Sequence, residues 1–272
     1  MVRNNRKWEA ALDREFQEVE KQERKQERSA LQAKNTQWRT DLERKIPKSV
    51  YTGLESAFCK GFSLVFNQGR AVIEKTYNKE DLQADHAIRD FAVQLKGGRK
   101  ELKQMRRSAS RSDLQNLVVT SAEGIGLGLL GVGIPDIVLF ISTLLKGIYE
   151  TALNYGFDYV SRQEQMLILK MMETALTSGE EWVRCNRDVD AMLTDAVISV
   201  ADEEFEAQLL KTSAVFSVDM LLLKFIQGIP VVGVLGGAAN PFYYGKVMRY
   251  VQLKYRKRYL QKQKANPPEP FV

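Results

Sequence analysis

Three aspartates, Asp136, Asp158 and Asp219, lie in or close to the two most apolar stretches of the chain, with Asn154 and Asn240 near them in sequence. A carboxyl group in apolar surroundings has a raised pKa and can give or take a proton, and several together can hold a hard cation through oxygen. The same residue types cap helices and close turns. The pattern therefore allows a carboxylate-based enzyme without requiring one. The one histidine, His86, lies in the polar run KEDLQADHAIRD with no cysteine nearby, and reads as a solvated helix residue. Most zinc sites built from nitrogen and sulfur are excluded, and a Ser-His-Asp or Cys-His site would have to use that residue. Cys59 and Cys185 are far apart and form neither a C-x-x-C pair nor a disulfide framework, which fits a reduced compartment. No catalytic residue is assigned, and neither a metal nor a cofactor is expected.

Glycines raise a second chemistry. In GIGLGLLGVGIPD, residues 124–136, Gly126, Gly128 and Gly131 have the G-x-G-x-x-G spacing of a dinucleotide-binding turn. That turn needs a strand before it and an unbroken helix after it, but Pro135 interrupts the helix and the chain lacks strand and helix alternation. Packing explains the glycines better. Gly124, Gly128 and Gly131 before Pro135, and Gly233, Gly236 and Gly237 in the later stretch, are the candidates for close helix packing or membrane contact.

The elements that carry these residues are all read as helices. Between Glu123 and Lys146 the only charge is Asp136, and between Lys224 and Lys246 there is none. The first run is 22 residues long, about the thickness of a hydrocarbon core at roughly 1.5 Å per residue. Pro135-Asp136 and Asn240-Pro241 break each run, so each is read as a glycine-rich half, a proline turn and a second half. No segment alternates long enough for a sheet. The expectation is an all-α fold: a compact multi-helix bundle around two glycine-rich apolar hairpins, with a long charged N-terminal helical arm. Residues 1–46 are the arm, 47–264 the all-helical domain, and 265–272 a disordered Pro-rich tail.

Within the arm, Trp8, Leu12 and Val19 recur at helical intervals. Next come helices over about 49–77 and 79–95, the latter with Leu82, Ile88, Phe91 and Leu95 near one side. SASRSD is expected to be a turn, and 148–172 a single helix. Charge is uneven around a net +6: seven basic residues against Glu101 from Lys96 to Arg111, eight against none from Lys246 to Lys264, and fourteen acids against seven bases from Lys146 to Lys224. The C-terminal helix pairs a tyrosine stripe with Lys246, Arg249, Lys254, Arg256, Lys257 and Arg258, a pattern suited to anionic headgroups at a membrane interface. The same tail could stack on bases, but no nucleic-acid module accompanies it, and nucleic acid is not the expected partner.

GIGLGLLGVGIPDIVLFISTLLKGIYETALNYGFDY together with GIPVVGVLGGAANPFYYGKVMRYVQLKYRKRYL resembles the EcsC family of bacterial proteins over about residues 45–260. The resemblance implies a helical, membrane-associated protein and brings no catalytic residues with it. The resulting expectation is a non-enzymatic accessory protein of bacterial transport or secretion. It would be cytoplasmic, at the inner face of the cytoplasmic membrane, with that anionic surface as one partner and a transporter or other protein met through the arm as another.

Overall fold

Residues 2–32 contain neither proline nor glycine and form α1 (Val2–Gln32), which buries Trp8, Leu12 and Val19 as its spacing predicts. The computed structural model describes residues 2–32, 47–119, 135–194, 199–226 and 239–267, and among them every regular element is helical. After Pro47 come α2 (Lys48–Leu64), a single π turn (Val65–Gly69) and α3 (Arg70–Glu74). The Asn78 side chain starts α4 (Lys79–Lys96) by accepting the Asp81 amide at 3.2 Å. Gly97, at φ 52°, ends it with its N–H on the Val93 carbonyl.

Then come α5 (Arg99–Val119), α6 (Pro135–Asn154), α7 (Arg162–Leu176), α8 (Gly179–Met192), α9 (Asp202–Ile226) and α10 (Ala239–Ala265). Two boundaries differ from expectation. SASRSD lies inside α5, because nothing in it forbids helix and no glycine or proline stops the run. The helix expected over 148–172 is two, α6 and α7, separated at Gly156. Gly156 takes φ 76°, Phe157 N–H reaches back to the Ala152 carbonyl at 2.9 Å, and the Ser161 side chain accepts the Glu164 amide to start α7. Pro135 opens α6, and Pro241 lies in the first turn of α10, positions where a missing N–H leaves no helical bond unmade.

The centre of the molecule is α6, packed by α2, α4, α5 and α10. Its Ile137–Asn154 stretch has mean hydropathy 1.3, enough by length and composition to cross a bilayer, yet 83% of it is buried inside the bundle. The described half of the first apolar run is thus a core helix. Close packing here does use glycine. Gly124, Gly128, Gly131, Gly233, Gly236 and Gly237 lie outside the described residues. At Gly61 of α2 an added Cβ would stand 2.9 Å from Ile141 Cδ1 and 3.1 Å from Ile137 Cγ2 of α6. Beside it Phe58 and Phe62 meet Phe216 of α9 at 5.5 and 5.6 Å between ring centroids. A thermal or urea melt of Gly61→Leu is expected to lose about 1–3 kcal/mol, as overpacking drives α2 from α6; unchanged stability would show that this contact is slack.

Candidate functional site

The basic residues of α10 follow one another too closely to share a face, and the structure gives them different partners. Lys254 has no side-chain exposure and sits between Glu23 Oε1 of α1 at 2.5 Å and Asp190 Oδ1 of α8 at 2.7 Å. Lys257 reaches the same two carboxylates, at 3.0 and 3.1 Å. Burial works against the Lys257 charge, but Asp190 and Glu23 override it and hold the ammonium above the ordinary lysine range. Arg256 donates through Nη2 to Glu15 Oε2 at 2.5 Å, and Arg99 of α5 takes the other oxygen, Oε1, at 3.2 Å. Arg258 donates to Glu164 Oε2 at 2.7 Å and lies 4.2 Å over the Phe157 ring.

These four cations, expected to face lipid headgroups, instead face acids of the chain itself. The correction has a simple cause: α10 is packed by α1, α5, α6 and α7, so its basic side chains are desolvated and require counter-charges. Glu15 and Glu23 were legible as candidates, because they continue the buried stripe of Trp8, Leu12 and Val19 along α1. Lys246 pairs with Asp219 Oδ2 at 3.3 Å, and Arg249 is exposed.

Between α1 and α10 remains a cleft of about 700 Å³. Lys25, Gln22, Gln26, Ser29 and Ala30 of α1 form one wall, and Lys246, Arg249, Tyr250, Gln252, Leu253 and Arg256 of α10 the other. Arg106 of α5, Tyr155, the end of α7 and Trp182 of α8 complete it. Five of the lining residues are cationic and none is acidic. Glu15 and Asp219, behind the lining, offset part of this charge, while Lys25 and Arg249 have no ion-pair partner among the described residues. Arg256 is 4% exposed, and its Nη1 is buried with no hydrogen-bond partner among the described residues. Ser178, at the N-cap of α8, also lines the cleft, and its side chain makes no capping bond, so the positive end of that helix faces the same space. Trp182 meets Tyr250 edge to face at 6.2 Å, and the Tyr250 hydroxyl donates to Asn186 Oδ1 at 2.8 Å.

Among the described side chains the polar candidates do not converge. Asp158 is exposed, 4.0 Å from Lys79, and accepts the Val160 amide in a turn. Asp219 is held by Lys246, and its carbonyl accepts from Tyr243. Neither lines the cleft. Asp136 and Asn240 lie in the first turns of α6 and α10, with side chains outside the described residues. Asn154 is buried and knits three elements: its amide donates to the Glu150 carbonyl of α6 at 2.8 Å, its Oδ1 accepts from Arg89 of α4 at 3.1 Å and from Ser108 of α5 at 3.4 Å, and its carbonyl accepts from His86 Nδ1 at 3.0 Å. His86 is therefore no solvated helix residue. Its ring fills the space that the missing side chain of Gly156 leaves. Burial, ahead of the opposing pull of that carbonyl and of Asp90, lowers its pKa.

Cys185 lies between Glu173 and Glu181, with the three ligand atoms within 4.8 Å of one another. Burial and then the two carboxylates push the thiol up to about 12. It stays protonated and donates weakly to both acids.

The family model of the EcsC protein family matches residues 13–260, so the match includes most of α1 as well as the rest of the bundle. No curated protein and no solved structure matches the chain.

Glu15→Gln leaves the buried Arg256 guanidinium without its counter-charge and is expected to lower unfolding free energy by about 3–5 kcal/mol. The exposed Glu20→Gln is expected to change it by less than about 0.5 kcal/mol. Urea titrations of the two decide whether the arm is held by this pair. Above the ordinary histidine value of about 6.5, native and unfolded His86 are both neutral. As pH falls below it the unfolded chain takes up the proton first, so native stability is lost down to the depressed native pKa. Between pH 7 and 5.5, His86→Gln is expected to lose less stability than the parent, and equal slopes would remove His86 from the account.

Proposed function

This chain belongs to the EcsC protein family, and we propose that it is a non-enzymatic accessory protein of bacterial transport or secretion that binds a phosphate-bearing ligand in the cleft between α1 and α10. The observation that carries the reading is the lining itself: five cations, no carboxylate, and a buried Arg256 with one unfilled guanidinium edge. Guanidinium groups hold phosphate through paired N–H donors, and the open end of α8 adds backbone donors and dipole. Trp182, Tyr155, Leu176 and Leu253 supply apolar contact for the organic part of such a ligand.

The absence of an acid from the lining favours capture over proton-transfer catalysis. The nucleic-acid alternative loses its support, since Tyr250, Tyr255 and Tyr259 of α10 are buried and cannot stack on bases. Phosphate can come from an anionic lipid headgroup at the inner face of the cytoplasmic membrane or from a soluble molecule. The outer face of α1, with Glu9, Asp13, Arg14 and Glu20 exposed, is free for a transporter or other protein partner.

Two arms of one experiment separate the sources. Inorganic pyrophosphate is titrated against the parent and against Lys25→Glu/Arg249→Glu by calorimetry, and both proteins are sedimented with vesicles of phosphatidylglycerol or phosphatidylcholine. Binding at least tenfold weaker in the variant is expected in one arm. Loss only on phosphatidylglycerol vesicles assigns a lipid headgroup, and loss only with pyrophosphate assigns a soluble ligand. Equal behaviour of parent and variant in both arms would overturn the reading.

A further inference from the structure

Helix α4 is attached to the bundle by its polar side. Arg89 and His86 bond to Asn154, Asp90 accepts from Tyr259 and Gln263, Gln94 donates to Gln263, and Val93 alone of its large apolar residues is buried. Its apolar stripe faces the other way. Ile88 at 68% and Phe91 at 60% are the most exposed large hydrophobic side chains among the described residues, and Leu95 at 42% continues their line, with Ala84 exposed at its other end. A helix normally buries such a stripe, and a contiguous exposed one marks a contact surface.

We propose that this face is a two-fold interface with a second copy of the chain, α4 packing antiparallel on α4. The spacing of the stripe supports it. Positions 84, 88, 91 and 95 are separated by four, three and four residues, the same read from either end. An antiparallel copy therefore sets Ala84 opposite Leu95 and Ile88 opposite Phe91, small against large and branched against aromatic, as an isologous contact requires. The charges agree with this register. Glu80 and Asp81 are exposed at one end of α4; Lys96 is exposed at the other, and Lys100 is exposed just past the Gly97 turn, in the first turn of α5. The same pairing sets the acidic end of one copy against the basic end of its partner, twice per dimer. One helix face is small for an interface, so the association is weak and concentration-dependent. The inference is independent of the cleft, whose lining contains no α4 residue.

Sedimentation equilibrium from about 1 to about 100 μM tests it. The parent is expected to pass from monomer to dimer, and Ile88→Ser/Phe91→Ser to remain monomeric. Glu80→Lys/Asp81→Lys and Lys96→Glu/Lys100→Glu are each expected to be monomeric alone, because each copy then repels its twin. Mixed in equal amounts they are expected to associate, because every cross-copy contact again joins opposite charges. Thermal melts close to the parent's establish that association, and not folding, was changed. If the serine variant does not fold, the charge-reversed pair still decides. A parent monomeric throughout, charge-reversed variants that dimerise alone, or a mixture that stays monomeric would overturn the proposal. So would stripe-dependent sedimentation of a monomeric parent with phosphatidylglycerol vesicles, which would make the occupant a membrane.

Discussion

A carboxylate almost out of contact with water, Glu15, holds a guanidinium 241 positions further along the chain, and the placement of the arm follows from that bond. Neither charge is cheap to bury, and an ion pair in such a place gains little over a well-packed apolar pair. What it fixes is register. Glu15 meets Arg256 only where Glu23 also meets Lys254 and Lys257. Sliding α1 by one turn, about 5.4 Å, would strand several desolvated charges at once.

The cleft is a by-product of the same register. Arg256 spends one edge on Glu15 and leaves Nη1 unfilled, and the α1 side chains on either side of Glu23 form the facing wall. The carboxylates needed to hold the arm all stand behind the lining, so structure and surplus positive charge come from one set of residues. Pulling the arm away would remove one wall and expose Lys254 and Arg256 together.

The helical class was legible because period and punctuation agreed along most of the chain: Trp8, Leu12 and Val19 mark the buried side of α1, and Gly97 ends α4 where expected. The break at Gly156 was missed because its flanks suit helix equally well, and only the left-handed glycine separates them. That Lys254, Arg256, Lys257 and Arg258 of α10 pair within the chain was hidden for a deeper reason. Lysine and arginine beside tyrosine look alike whether they face a headgroup or a glutamate, and here the glutamates belong to helices far away in sequence. Likewise the stripe of α4 was visible as apolar, but that it points outward depends on Asn154, Tyr259 and Gln263, which bind the polar side of the helix from elsewhere.

The separation between Glu15 and Arg256 also sets an order of events at the ribosome. At roughly 5 to 20 residues per second, about 12 to 48 s pass between the synthesis of the two residues. Throughout that interval the acids of α1 have no α10 to bind. An apolar segment waiting so long would invite misassociation, whereas a charged helix stays hydrated and repels its neighbours. The composition of the arm, which gives it little to bury, therefore suits a segment that is made long before the helix it docks on.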